Sequence, residues 1–263
     1  MATKQQDRDE RATKQLLAAH AEHPFYGVRR LAIHLGWNEK KVRRIRNAAG
    51  VVVPTASKRH KYLKGGKSQI AAPPNVLHDY ARFKNIARPQ DGMDYSNMVD
   101  AGAWAQDFTY IKFDRSFCYV AGVINLKTRE IVGWRLGTNH TSELTYAALL
   151  DALSKHAVPA ILHSDQGSEY LLYKHQLLCQ RLEVQLSASR RGSPWQNCFM
   201  ERVIGTIKLE LGSTKHLKGL EQLHEAVALK IHYYNTRRIH TSLKTTPAAY
   251  AASLDKVLHE RVA

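Results

Sequence analysis

The sequence predicts an α/β chain: a mixed β-sheet with helices on its faces, joined to a small all-α unit at the N-terminus. Three observations predict it. Residues 104–137 hold three runs rich in β-branched and aromatic residues, WAQDFTYIKF, FCYVAGVINL and EIVGWRLG. After them, helical and strand patterns alternate. The first fifty residues, by contrast, carry only helical periodicity.

Taken in order, residues 5–21 (QQDRDERATKQLLAAHA) read as a polar helix, broken at His23-Pro24. VRRLAIHLG fits a short second helix ending at Gly36. Asn38 is a good N-cap for EKKVRRIRNAA, which stops at Gly50. Val42, Ile45 and Ala49 form its apolar stripe, while Lys40, Arg43, Arg44 and Asn47 share another face. A short helix, a tight connection and a basic second helix make residues 1–52 a helix-turn-helix candidate, with the basic face directed at a DNA groove. An ordinary solvated helix face is the plainer alternative. Residues 53–100 read as a basic connector, punctuated by Pro54, Gly65-Gly66, Pro73-Pro74, Pro89 and Gly92.

Charge supports a polyanionic partner. The 263 residues carry a formal charge of +16, and residues 1–70 alone hold 16 Lys+Arg against 5 Asp+Glu. No apolar run is long enough to span a bilayer, and the polar N-terminus shows no secretory signal. Cys118, Cys179 and Cys198 are odd in number and widely spaced, which argues against a disulfide framework. A cytoplasmic, nucleoid-associated protein is the expectation.

From Trp104 the three runs form an antiparallel meander, turning at Asp114-Arg115 and at Lys127-Thr128-Arg129. SELTYAALLDALSKHA reads as a helix, AILHS as a short buried strand, SEYLLYKHQLLCQRL as a helix and VQLSAS as a strand. A further helix begins near Trp195. This order is that of a ribonuclease H-like core, expected over residues 101–212, with residues 213–263 as a helical extension packing on it.

Three acids then fall at informative places. Asp107 lies within the first strand, Asp165 just past the fourth, and Glu201 on the late helix, with 35 residues between the last two. Converging carboxylates resist ionising together unless a cation sits among them. Their oxygens suit hard divalent ions, the arrangement needed for two-metal chemistry on phosphodiesters. Lys208 lies two turns from Glu201 on the same face, where it could hold a phosphate. Taken singly each acid has a plain reading, as a strand-edge acid, a turn former before Gly167, or a partner of Arg202. His163 is as readily a structural hydrogen-bonding group as a site residue. Trp195 could stack on a base but reads more simply as an aromatic packed beneath the helix, and Asn197 as a loop-positioning or DNA-contacting residue.

Six stretches carry a resemblance: HPFYGVRRLA, WAQDFTYI, REIVGW, HSDQGSEY, SRRGSPWQNCFMER and YYNTRRIHTSLKTTPAAY. In this order they resemble the insertion-sequence DDE transposases of the retroviral-integrase superfamily, the catalytic reading frame of two-frame bacterial elements. The resemblance runs from about residue 20 to about residue 250. It implies an acidic catalytic and metal-binding triad at Asp107, Asp165 and Glu201, a downstream basic residue at Lys208, and magnesium, or manganese in its place, as cofactor. It implies DNA as partner, both the element's terminal inverted repeats and the target, and a homo-oligomer on that DNA. An upstream-frame product with a helix-turn-helix and zipper is an expected further partner. Arg237 and Arg238 are expected on a basic DNA-facing edge. Asn125 and Gln196 stand where many members have aspartate, which implies altered local hydrogen bonding. The alternatives are a transposase-derived DNA-binding regulator without catalysis and a nuclease of the same fold. A tyrosine recombinase built on Tyr233-Tyr234, Arg237, Arg238 and His240 leaves the acids unexplained.

Overall fold

The structure, a computed structural model, describes residues 4–54, 72–77, 82–83, 93–94, 102–170, 173–190 and 193–262. Most of the expected connector lies outside the described residues. The chain divides into two compact units, Met1–His60 with His232–Ala263, and Lys61–Ile231.

The first unit holds α1 (Lys4–Glu22), α2 (Val28–Leu35) and α3 (Glu39–Ala48). Gly36 ends α2 at φ 66°, a left-handed conformation that glycine adopts without steric cost. The Asn38 side chain accepts the Lys41 N–H at 2.8 Å and so caps α3. Leu16, Tyr26, Leu31, Val42 and Ile45 form the core, and Ile239 packs against it. Residues 232–263 therefore belong to this unit, whereas the sequence predicts all of 213–263 as an extension packing on the catalytic core. The physical reason lies in a set of hydrogen bonds across the unit. The Tyr26 hydroxyl donates to Arg237 O and accepts from Ile239 N–H. Arg30 Nε donates to Ile239 O, and the Tyr233 hydroxyl stands 2.7 Å from His23 Nδ1. Two stretches some 210 residues apart thus complete one small domain.

In the second unit, β1 (Arg82–Phe83) and β2 (Met93–Asp94) form a short antiparallel pair. The main sheet comprises β3 (Ala103–Phe113), β4 (Ser116–Asn125), β5 (Ile131–Gly137), β6 (Ile161–Ser164) and β7 (Gln185–Ala188), in the order β5-β4-β3-β6-β7. The first three are antiparallel, and β6 and β7 run parallel to β3. This is the mixed ribonuclease H-like sheet. Asn125 closes the second turn, its carboxamide oxygen accepting from Lys127 N and Thr128 N.

The helices are α4 (Ser142–Leu153), α5 (Tyr173–Arg181), α6 (Cys198–Leu211) and α7 (Leu220–Thr236), with α8 (Pro247–Val262) in the first unit. Along β3, Trp104 and Phe108 face one side of the sheet and Asp107 the other, by the two-residue alternation of a strand. On the Trp104 side, Val123, Leu144, Ala148, Leu149, Leu162 and Cys179 close the main core. Gly133 makes this possible, since a Cβ there would stand 2.5 Å from Ala148 O. On the opposite side lies α6, whose Met200 occupies the space left by Gly122. The connector residues Asn75 and Leu77 lie against β7 and the turn before α6. Leu77 N–H donates to Ser187 Oγ, and Asn75 Nδ2 to Gln196 Oε1. Among the described residues, no helix is long and apolar enough to cross a membrane.

Candidate active site

The site assembles where β3 and β6, neighbours in the sheet, meet the start of α6. Asp107 lies mid-strand, Asp165 follows the last residue of β6, and Glu201 lies in the first turn of α6. A parallel neighbour and a helix on one face therefore bring together residues 58 and 94 positions apart in sequence. Asp107 and Glu201 are half-buried. Asp165 has an exposed surface, yet the protein packed around its carboxyl still disfavours its charge.

Electrostatics show the convergence. Burial pushes the Asp107 carboxyl well above the usual carboxylate range, and the negative charges of Asp165, Glu201 and Glu169 push it further. The Phe108 N–H, donating to Asp107 Oδ1 at 2.8 Å, opposes this only in part. Asp165 is likewise raised by burial, against a hydrogen bond from Gly167 N at 2.9 Å and the attraction of His140. Lys208 is half-buried, with Nζ 4.3 Å from the Tyr110 ring centroid. Burial lowers the pKa of its ammonium, and Asp107 acts to raise it.

A fourth acid belongs to this neighbourhood. Glu169, 7% exposed, sits in the 3-10 turn Ser168–Tyr170 with Oε1 3.5 Å from His140 Nε2. Burial raises its carboxyl, and Asp165 adds to that. His140 in turn stacks on Phe108 at 3.8 Å. Sequence reasoning passed over both. A glutamate four residues after Asp165 was visible, but nothing local links it to a histidine in a distant loop.

His163 is fully buried beneath the site between the Ser187 and Ser189 hydroxyls, each 2.9 Å away, so it serves the sheet. Asn197 is buried too, donating to Gln106 O at 3.3 Å, and so anchors the start of α6 to β3.

With this geometry in place, relatives can be compared. Residues 100–194 and 182–247 match two families described as integrase core domain. The chain is 31% identical over 247 residues to an uncharacterized 31 kDa protein of insertion element IS600 from Shigella sonnei, covering 92% of this chain and 87% of the relative. It is 29% identical over 250 residues to the transposase of IS904 from Lactococcus lactis, covering 92% and 93%. The chain belongs to the insertion-sequence transposases of the integrase superfamily. Its fold matches a chain in the cryo-EM structure of the simian T-cell lymphotropic virus intasome in complex with PP2A regulatory subunit B56 gamma, at TM-score 0.50 and 16% identity, covering 88% of this chain and 72% of that one.

Two departures from the common family pattern find local uses in this transposase. Asn125 caps its turn, as above, and Gln196 Oε1 accepts from both Asn75 Nδ2 at 2.9 Å and Arg190 N at 2.5 Å. The residues expected at DNA are placed unevenly. Lys40, Arg43, Arg44 and Asn47 are all exposed on α3. Arg44 also forms a two-pronged pair with Asp9 at 2.5 and 2.8 Å, which holds the Asp9 carboxyl at about 2. Arg237 is paired with Glu22 at 2.5 Å. Arg238 is only 7% exposed, so in this conformation it offers almost no surface to a phosphate. Among the described residues, Glu22, His23 and His34 bring ligand atoms within 4.8 Å of one another. Arg237 supplies positive charge there, and the Tyr233 hydroxyl holds His23.

Proposed function

We propose that this transposase cleaves and rejoins DNA at an oxygen-only cage of Asp107, Asp165 and Glu201, which holds magnesium ions, with manganese as the alternative. The observation that carries this reading is the meeting of Asp107 on β3, Asp165 at the end of the neighbouring β6 and Glu201 in the first turn of α6. Burial, and then the charges of Asp165 and Glu201, disfavour Asp107 as an anion, which a cation held among the three would relieve. An all-carboxylate donor set fits hard divalent ions. Such ions, when bound, activate water and then a 3′-hydroxyl for in-line attack on phosphorus and stabilise the charge on the departing oxygen.

The chain's own residues supply the rest. Two strand-borne aspartates sit on a hydrogen-bonded frame, and Glu201 is fixed by helix packing, so the set is arranged before substrate arrives. Lys208, on the same helix and within electrostatic reach of Asp107, is placed to hold a phosphate oxygen at the rim. Lys40, Arg43, Arg44 and Asn47 engage the element ends, largely through the backbone, so affinity falls steeply with salt. Joining two ends calls for a homo-oligomer on the DNA, with an upstream-frame zipper product as a further partner.

The test is magnesium-dependent nicking of a terminal-repeat duplex, with Asp165→Asn as control, followed by joining of the freed 3′-end to target DNA. Nicking without joining would indicate a nuclease. Tight DNA binding with no metal-dependent cutting in the wild type would indicate a regulator.

A further inference from the structure

In the first unit, Glu22, His23 and His34 meet at the corner between α1 and α2, with one ligand atom of each within 4.8 Å of the others. His23 is 2% exposed, whereas Glu22 and His34 reach solvent. Two contacts fix the His23 ring. It stacks on Tyr26, with centroids 4.3 Å apart and planes 8° from parallel, and its Nδ1 stands 2.7 Å from the Tyr233 hydroxyl. In the tautomer that donates Nδ1–H to that hydroxyl, Nε2 carries a lone pair. Metal-binding imidazoles are commonly oriented in this way, through the ring nitrogen that does not touch the metal. Burial lowers the pKa of His23 and so favours the neutral ring that a metal requires. The His34 ring lies edge-on to it, with centroids 4.9 Å apart.

One distance separates a metal site from a hydrogen bond. His23 Nε2 stands 3.5 Å from Glu22 Oε1. An N–H···O hydrogen bond spans about 2.7–3.2 Å, so this gap is too long for one. Two ligands each about 2.0–2.1 Å from a tetrahedral zinc ion lie roughly 3.3 Å apart, close to what is seen. Two imidazoles and a carboxylate suit zinc, in contrast to the all-oxygen set of Asp107, Asp165 and Glu201. Positive charge already sits at the position: Arg237 Nη2 lies 2.5 Å from Glu22 Oε1. The Arg237 side chain is 59% exposed, so it has solvent to turn into.

We infer that Glu22, His23 and His34 bind a zinc ion, with water in the fourth position, and that the ion displaces Arg237 from Glu22. Bound there, the ion ties the end of α1 to α2 and frees the Arg237 guanidinium. The site stands apart from the catalytic reading above, since it uses neither the three acids nor the elements that carry them.

The experiment uses the untagged full chain carrying Asp165→Asn, which weakens competing metal binding at the carboxylates. Zinc binding is measured by calorimetry, the ligand set by the visible spectrum of cobalt in place of zinc, and melting with zinc or with chelator. Zinc at roughly 100-fold above its dissociation constant should raise Tm by about 5 °C. Cobalt should show the intense visible bands of a four-coordinate ion, not the weak ones of an octahedral oxygen site. His34→Gln should weaken zinc binding by about 100-fold or more and lose those bands, while melting like its parent in chelator. Glu22→Gln, a second ligand variant, should lose zinc binding as well. Arg237→Ala removes the competing cation and should bind zinc about 10-fold more tightly. Zinc affinity or cobalt bands that survive in His34→Gln or Glu22→Gln overturn the inference. Unaltered affinity in Arg237→Ala overturns the exchange with Arg237. If the parent binds no zinc, this inference fails, while magnesium-dependent cleavage by the wild type still tests the catalytic reading separately.

Discussion

Gly122 offers a direct test of how Glu201 is brought to Asp107. The two residues Asp107 and Gly122 are cross-strand partners, so a side chain at 122 would point to the same face as the aspartate. Met200, immediately before Glu201, fills that position, and a Cβ at 122 would stand 2.7 Å from its Cε, where ordinary contact begins at 3.4 Å. Gly122→Ala therefore asks the start of α6 or the methionine tip to yield by about 0.7 Å. The methionine end is flexible, so the stability cost falls at the low end of the overpacking range, about 1 kcal/mol, or roughly 2–4 °C in Tm. Activity should suffer more. A misplacement of about 1 Å at a reacting centre can cost on the order of 100-fold, and a partial shift of Glu201 should cost about 10-fold in magnesium-dependent cleavage. Adding Met200→Ala makes room, so the double variant should cleave within about threefold of Met200→Ala alone. Thermal melts and initial cleavage rates on an end duplex measure both effects. Full activity in Gly122→Ala, or a loss that Met200→Ala fails to relieve, would refute the claim that this contact sets the depth of α6.

Other perturbations follow from the same structure. In chelator, Asp107→Asn should melt higher than wild type at neutral and alkaline pH, because the raised carboxyl charges at a cost to the fold, and with magnesium restored it should cleave no DNA. That cost is present above the folded pKa and lost as pH falls through it, so the two melting curves should converge toward the ordinary value of 3.8, and parallel curves would contradict this. His175 is buried and lowered to about 4, so it stays neutral in the fold while the unfolded chain takes a proton below 6.5. Stability should therefore fall by on the order of 3 kcal/mol from this group between those two values, and His175→Gln should flatten the urea midpoints measured across the range. Arg44→Gln should weaken binding to duplex DNA and reduce the salt slope by about one. Arg238→Ala should instead lower the melting temperature while leaving that slope alone; a changed slope would show that Arg238 reaches the DNA.

Much of this is legible in the sequence itself. The meander and its two turns follow from alternation and turn chemistry, which act over a few residues, and the mixed sheet follows from the helix–strand order after them. Asp107 and Asp165 could be placed because strand order dictates which strands are neighbours. The helix bearing Glu201 is legible too, although it begins at Cys198, after a 3-10 turn over Pro194–Asn197. Long-range partnerships were not legible. The pairing of His140 with Glu169 and the contact of Gly122 with Met200 depend on how distant elements abut, which no periodicity encodes. The same holds for residues 232–263. Their aromatic and basic pattern reads equally well against any apolar surface, and only the bonds from Tyr26 and Arg30 show which surface they meet.

The bonding of His23 and Tyr26 to residues beyond 232 gives synthesis a direction. A nascent polypeptide emerging from the ribosome can complete the sheet of β3 to β7 before Tyr233 is translated, whereas the core around Tyr26 waits for the stretch that reaches Ile239. A product that stops before Tyr233 would thus carry the three carboxylates and an N-terminal core without its partner stretch. Under the roles proposed above, cutting capacity and end recognition would part company in such copies, and translation past Ile239 would unite them.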